Sequence, residues 1–467
     1  MDELHELSAV ALADALQRGE VTPRDAAAHF LARIARTDDS IGAFVEVTAE
    51  RALERASALG APDPSRPLWG IPLADKDLTA RAGVPTRYGS RAFASYVPEH
   101  SDPLARALDD LGAVSLGKTN TPEFGMTGYT ESRVAPPARN PWDTATGAGG
   151  SSGGAAAAVA SGLLPAAPAS DGGGSIRIPA ATVGVVGLKP SRGRLPVGSG
   201  MDAPGGLSVA GPIARTVEDA AFLLDALMAS AAYPYATRAP GDGPFRGAAL
   251  REPGRLRVGA TTVTPWDGWT DTALDADARA AYETGILLLG SAGHDVEAAG
   301  WRPRGYPELF TTIWRASAAR IPVADDRLDD LLEPLTAWLV REGRALPAER
   351  ALAAYAEATA FERETIAVFS PFDAILTPAL ALPPQRVGWY PSDDPERNFA
   401  QQCQYAPHTS FVNVAGLPAI TVPLRPDATG RPVSVQLVGR PGGEGVLLSL
   451  AAQLESERGA LPHPPLW

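Results

Sequence analysis

The segment "SDGGGSIRIPA", Ser170 to Ala180, sets a serine, Ser175, at the end of three consecutive glycines. That is a place for a nucleophile, because glycines let other groups come close to the backbone. A serine nucleophile needs a base, and no histidine lies within forty residues on either side. Cysteine, carboxylates and lysine remain. A lysine serves if desolvation leaves its amine neutral at working pH. "GIPLADKDLT" puts Lys76 at the end of an apolar run. In an extended strand its side chain points opposite to those of Asp75 and Asp77, away from two carboxylates that would favour the charged form. Taken alone, this stretch still favours a surface lysine in a polar turn.

Two further patterns match motifs but fail their context. "GAVSLGKT", Gly112 to Thr119, has the letters of a phosphate-binding loop. That mechanism needs a strand before the first glycine and a loop between the glycines. Here a helix is expected before Gly112 and a strand between the glycines, so ATP binding is set aside and Lys118 is read as part of a structural turn. "GSSGG" matches G-x-S-x-G with Ser152 at its centre. An elbow serine leaves the end of a buried strand, and the preceding "NPWDTATGA" reads as no strand.

The elements that must position these residues alternate along the chain. "ELSAVALADALQRG" and "PRDAAAHFLARIAR" carry apolar residues at helical spacing, with Pro23 as a first-turn signal. "LWGIPLADKDLT" and "AVSLG" read as strands, with the helix "PLARALDDLG" between them. "GAGGSSGG" reads as a loop, and the helix "AAAAVASG" after it stops at Gly162. "VGVVGL", "FDAILTP", "AITVPL" and "VSVQLVG" read as strands, and "GVLLSLAAQLES" as a last helix. This interleaving predicts an α/β fold with helices on both faces of a sheet. One domain over 1–467 is expected: a helical region at 1–65, a core at 66–225, a helix-and-loop region at 230–370, and a return to the sheet at 371–467.

Composition narrows the function. A net charge of −13 argues against nucleic acid or an anionic membrane as main partner. The single cysteine, Cys403, can form no internal disulfide and reads as a small buried or half-buried hydrophobe. The N-terminus is acidic from its second residue, with no basic region or cleavage site, and no apolar run is long enough to span a membrane. A cytoplasmic protein without membrane attachment is expected. No H-x-x-x-H or paired-cysteine spacing is present, so no metal and no other cofactor is expected.

Read together, "GIPLADKD" at 70–77, "GAGGSSGGAAAAVASG" at 147–162 and "SDGGGSIRIPA" at 170–180 change the balance for Lys76. With "GKTNTPEF", "NPW", "GLKPSRGR", "GPIARTVEDA", "TPAL", "NVAGLPAITVP" and "VQLVGR" in the same order, the chain resembles the amidase signature family over nearly its whole length. The resemblance is weakest between about 230 and 370.

The resemblance implies a central mixed β-sheet flanked by helices on both faces and a Ser–Ser–Lys triad. Ser175 would be the nucleophile, Ser151 the relay preceded by a cis peptide bond, and Lys76 the ultimate base. Backbone amides of Gly172, Gly173, Gly174 and Ser175 would form the oxyanion hole. Ser152, Asp171 and Arg177 would support the site from behind, the last two as an ion pair stiffening the loop. The other reading of that pair is an ordinary surface ion pair.

Within the family, glutaminase subunits of tRNA-dependent amidotransferases read "TGGSIRQPA" around the nucleophile. Gly172 and Ile178 depart from that here, which points away from the amidotransferase role. Gly172 also leaves room beside the nucleophile for a bulky acyl group. "FGMTGY" offers Gly125, Met126, Thr127 and Tyr129 as substrate-lining residues, and Trp314, Trp338, Trp389 and Tyr390 lie in pocket-shaping regions. The expectation is an amidohydrolase of small apolar or aryl amides, with esters and aryl carbamates also cleaved, acting as a monomer or homodimer. A carbamate or oligomeric-amide hydrolase, an amidotransferase subunit and a catalytically idle scaffold are the alternatives.

Overall fold

The computed structural model describes residues 3–195, 204–229 and 243–467. The helical apolar spacing near the N-terminus folds as helices Ala9–Gln17 and Pro23–Ile41. Ser8 and Thr22 cap them by accepting from the N–H groups of Ala11 and Asp25. Pro23 opens the second helix, where its missing N–H costs nothing.

Strands β1 (Phe44–Val47), β2 (Pro72–Lys76) and β3 (Val114–Thr119) form a small separate sheet in the order β1-β3-β2. A helix, Pro103–Asp110, precedes Gly112, and β3 occupies the space between the glycines of "GAVSLGKT", so no phosphate-cradling loop forms there. Lys118 is not in a turn. It is a fully buried strand residue whose Nζ donates to Thr79 O and Thr86 Oγ1.

β4 (Arg139–Asn140) and β5 (Asp143–Gly147) make a two-stranded ladder. "NPWDTATGA" therefore does hold a strand, contrary to expectation. Three of its five residues are solvent-exposed, so it is not the buried strand that an elbow serine must leave.

The large sheet has eight strands: β6 (Ala166–Asp171), β7 (Val186–Lys189), β8 (Val209–Ala214), β9 (Arg257–Ala260), β10 (Asp295–Ala298), β11 (Ala374–Pro378), β12 (Ala419–Pro426) and β13 (Pro432–Gly439). Their spatial order is β10-β9-β11-β13-β12-β7-β8-β6. β9 runs parallel to β10 and β11, and the remaining neighbours are antiparallel. Helices flank this mixed sheet, among them Glu444–Arg458 against β12 and β13, and Ala276–Ser291 against β11 and β13.

β6 has the sequence "AAPASD", which shows no alternation because all six residues are buried. "VGVVGL" divides: Val183 ends the helix Arg177–Val183, Gly184 turns the chain at φ 76°, and β7 begins at Val186. The region after 243 builds a second apolar core around Trp266, Trp301, Tyr306, Phe310 and Phe411. Its helices Tyr306–Ala318, Pro334–Arg344 and Ala348–Phe369 pack together. No helix of the described residues is long and apolar enough to cross a membrane.

The two sheets touch where β2 lies against β6, the edge strand of the large sheet. That contact brings together the strand ends carrying Lys76 and Ser170–Asp171.

Candidate active site

β2 is buried along its whole length, and its alternation sorts the charges as the extended geometry requires. Asp75 turns to Arg81 at 2.6 Å and to Ser115 at 3.0 Å. Asp77 accepts from the Arg87 N–H at 3.0 Å and lies 3.5 Å from Lys118. Lys76 points the other way, 2% exposed, and its Nζ donates to Ser151 Oγ at 2.7 Å and Ser170 Oγ at 3.2 Å. It makes no ion pair among the described residues. Burial without a countercharge pulls the amine from its ordinary 10.5 down to about 7, against a smaller upward pull from the Asp171 carboxylate.

Ser151 follows a cis peptide bond at Gly150. The helix Gly153–Ala160 begins just after it, buried on every side. Small residues make that burial possible: a Cβ on Gly154 would come within 2.4 Å of both Ala43 O and Asn120 N. Thr121 Oγ1 donates to Ser151 O, and the Ser152 N–H donates to Ser175 O at 3.1 Å, tying the Ser151 segment to the Ser175 segment. Ser151, Ser170 and Ser175 line one cavity. No hydrogen bond joins Ser151 Oγ to Ser175 Oγ, whereas Ser151 Oγ accepts from Lys76 Nζ.

The loop from Asp171 to Arg177 is organised by its two ends. Both charged side chains are fully buried. Arg177 Nε and Nη2 donate to the Asp171 carboxylate at 2.9 Å each, Nη1 to Thr409 O and Gln436 Oε1, and Nη2 also to Asn413 Oδ1. The surface-pair reading therefore fails. Burial alone would raise the Asp171 pKa, but Arg177 holds it well below the usual carboxylate range. The same carboxylate accepts from the N–H groups of Gly174 at 2.7 Å and Ile176 at 3.1 Å. That commits the Gly174 amide to Asp171. The N–H groups of Gly172, Gly173 and Ser175 have no protein partner among the described residues.

Gly174 sits at φ 131°, and a Cβ there would meet Thr409 Oγ1 at 2.5 Å and Ile178 Cδ1 at 2.7 Å. Only glycine fits this backbone.

Of the proposed lining residues, Gly125 and Met126 border two cavities that meet at Ser175, and Thr127 borders one. Tyr129 borders neither: it stacks on Tyr390 at 4.0 Å and accepts from Asn398 Nδ2. Trp314 lines both cavities and Tyr390 one. Trp338 packs under Arg315, and Trp389 stands edge-on to Tyr390, both outside the cavities. The sequence reading missed Ser170 as a partner of Lys76. It also gave Thr409, Asn413 and Gln436 no role, although "NVAGLPAITVP" and "VQLVGR" contain the last two.

This geometry agrees with comparisons to known proteins. A family model described as Amidase matches residues 25–448. A putative amidase AmiB2 of Mycobacterium tuberculosis (strain ATCC 25618 / H37Rv) is 38% identical over 438 residues, covering 92% of this chain and 91% of that protein. A putative amidase of Synechocystis sp. is 33% identical over 465 residues, covering 97% and 88%. The structure of 6-aminohexanoate cyclic dimer hydrolase complexed with substrate superposes with a TM-score of 0.90, at 29% identity and 99% coverage of both chains. The chain belongs to the amidase signature family of hydrolases that act on carbon–nitrogen bonds.

Proposed function

We propose that this protein hydrolyses small apolar or aryl amides, and with them the matching esters and aryl carbamates, through an acyl-enzyme on Ser175. The observation that carries the reading is Lys76: a buried amine with no carboxylate partner, pulled to about 7, whose Nζ lies 2.7 Å from Ser151 Oγ.

The steps follow from that pairing. Neutral Lys76 takes the Ser151 hydroxyl proton as Ser151 takes that of Ser175, and Ser175 Oγ bonds to the substrate carbonyl carbon. The N–H groups of Gly172, Gly173 and Ser175 hold the oxyanion, each donor contributing ~3 kcal/mol to the transition state. As the C–N bond breaks, the leaving nitrogen takes a proton from Ser151, which Lys76 replaces. Water then attacks the acyl-enzyme, giving its proton back through the same relay. Protonating the leaving nitrogen is the step an amide needs and an ester does not, so both classes fall within reach.

A matched anilide, ester and aryl carbamate, tested on wild type and Ser175→Ala, decide the matter. Turnover by wild type and loss of all three activities in the variant support the reading. Turnover of none by wild type, or survival in the variant, overturns it. The likeness to a cyclic-dimer hydrolase supports an aliphatic oligoamide as the second reading, which a cyclic dimer of 6-aminohexanoate added to the same panel resolves by whether it is preferred to the anilide.

A further inference from the structure

The two cavities at Ser175 are not equivalent, and Gly125, Met126 and Trp314 border both. Trp314 projects from the helix Tyr306–Ala318, stacks on Phe310 at 5.3 Å, and donates its indole N–H to Met126 O at 3.2 Å. Trp314 and Met126 thereby form a bridge bordering both sides.

The first cavity is walled by Trp266, Phe310, Phe399, Tyr405, Ile178 and Cys403, and has no charged residue in its lining. The second holds Ser151 and Ser170 together with Leu78, Tyr88, Ser317 and Arg320. Ser151 borders only the second. The group that protonates the leaving nitrogen lies on one side, which fixes where the nitrogen must go.

We infer that Trp314 divides the site into an acyl chamber without charge and a leaving-group channel that carries Ser151, Ser170 and Arg320, so that the substrates are amides of compact, uncharged aryl or branched acids, with any charge confined to the amine half. This rests on Ser175 being the acylated residue. It assigns Gly172 to the channel, since Gly172 borders that cavity and not the chamber. Gly172 thus makes room for the leaving amine, not for the acyl group as the sequence suggested. A glutamine-like acyl half would bring an ammonium and a carboxylate into a chamber with no countercharge, which is strongly unfavourable.

The test uses anilides on the full chain. With 4-nitroaniline constant, the acyl group is benzoyl, 4-phenylbenzoyl, acetyl or γ-glutamyl; with benzoyl constant, the amine is aniline or 4-aminobenzoate. Wild type is expected to lose on the order of 100-fold or more in kcat/KM for γ-glutamyl relative to benzoyl, and less than about tenfold for 4-aminobenzoate relative to aniline. Trp314→Ala opens the partition and improves 4-phenylbenzoyl relative to benzoyl by roughly tenfold, with the amine preference unchanged. Cys403→Met fills the chamber without touching the bridge, and lowers benzoyl relative to acetyl by roughly tenfold. It keeps the inference open to refutation if Trp314→Ala does not fold. Greater sensitivity to charge on the amine half, or variants that shift amine preference instead of acyl preference, overturn the division. If wild type cleaves the series but without this sidedness, only the division fails; if it cleaves none, the Ser175 reading has failed and this inference with it.

Discussion

Lys76 Nζ stands 2.7 Å from Ser151 Oγ while the two carboxylates beside it in sequence, Asp75 and Asp77, are turned to Arg81 and Lys118. Strand alternation does this sorting. The same backbone that buries the amine also strips it of its nearest countercharges, and the pull to about 7 follows from both.

The pH profile should show it. The working amine is neutral, so kcat/KM is expected to rise tenfold per pH unit below about 7 and level off above it. A pH–rate series between about 5 and 9 checks this. A profile flat through neutrality removes Lys76 from the role of base.

The same amine links stability to pH. In the native chain Lys76 loses its proton near 7, and in the unfolded chain near its ordinary 10.5. The unfolded state binds the extra proton between those values, so wild-type stability gains from this group as pH rises from about 7 towards 10.5. Lys76→Met lacks the effect. It should be inactive and more stable than wild type below pH 7, by up to ~5 kcal/mol at about 1.4 kcal/mol per pH unit, with the advantage shrinking as pH rises. Urea unfolding at pH 6 and pH 9 measures the difference.

Asp171→Asn should cost far more than an exposed pair. It leaves the fully buried Arg177 cation without its anion, a change of ~3–5 kcal/mol. It also weakens the acceptor that holds the Gly174 and Ile176 amides, so kcat should fall as well. Glu46→Gln, at the half-buried Arg87 pair, should cost about 1 kcal/mol or less by the same denaturation measurement.

The neighbouring glycines should answer differently to one methyl group. Gly174→Ala meets Thr409 and Ile178 at under 3 Å and needs an unfavourable φ, so kcat should fall by ~100-fold or more through a displaced oxyanion loop. At Gly172 the nearest atom to an added Cβ is 3.8 Å away, in Trp314, so Gly172→Ala should fold normally and keep most of its activity. Thermal unfolding and kcat on both variants separate the cases.

How far the sequence reaches can be judged from these same residues. Lys76, Ser151 and Ser175 could be named together as candidates only because their three runs resemble one family in order; taken singly, Lys76 read as a surface residue and the "GSSGG" run fitted no motif in its context. The strand under Lys76 was legible from its apolar run. β6 was not, because "AAPASD" is buried on all sides and carries neither alternation nor bulky apolar residues. Ser170 escaped for the same reason: its role depends on β6 lying against β2, a pairing between distant segments. Tyr129 sits beside true lining residues in sequence, yet the chain turns it onto Tyr390. Trp314 could be suspected but not singled out, since its place between two cavities depends on one hydrogen bond to Met126.

The central claim is that Ser175 carries the acyl group. Quenching wild type and Ser175→Ala in acid during turnover of an aryl carbamate, and measuring intact mass and then the modified peptide, tests it most directly. One carbamoyl group on Ser175 of the wild type, and none on the variant, is the predicted result. The same adduct on the variant, or on Ser151 or Cys403 of the wild type, contradicts it.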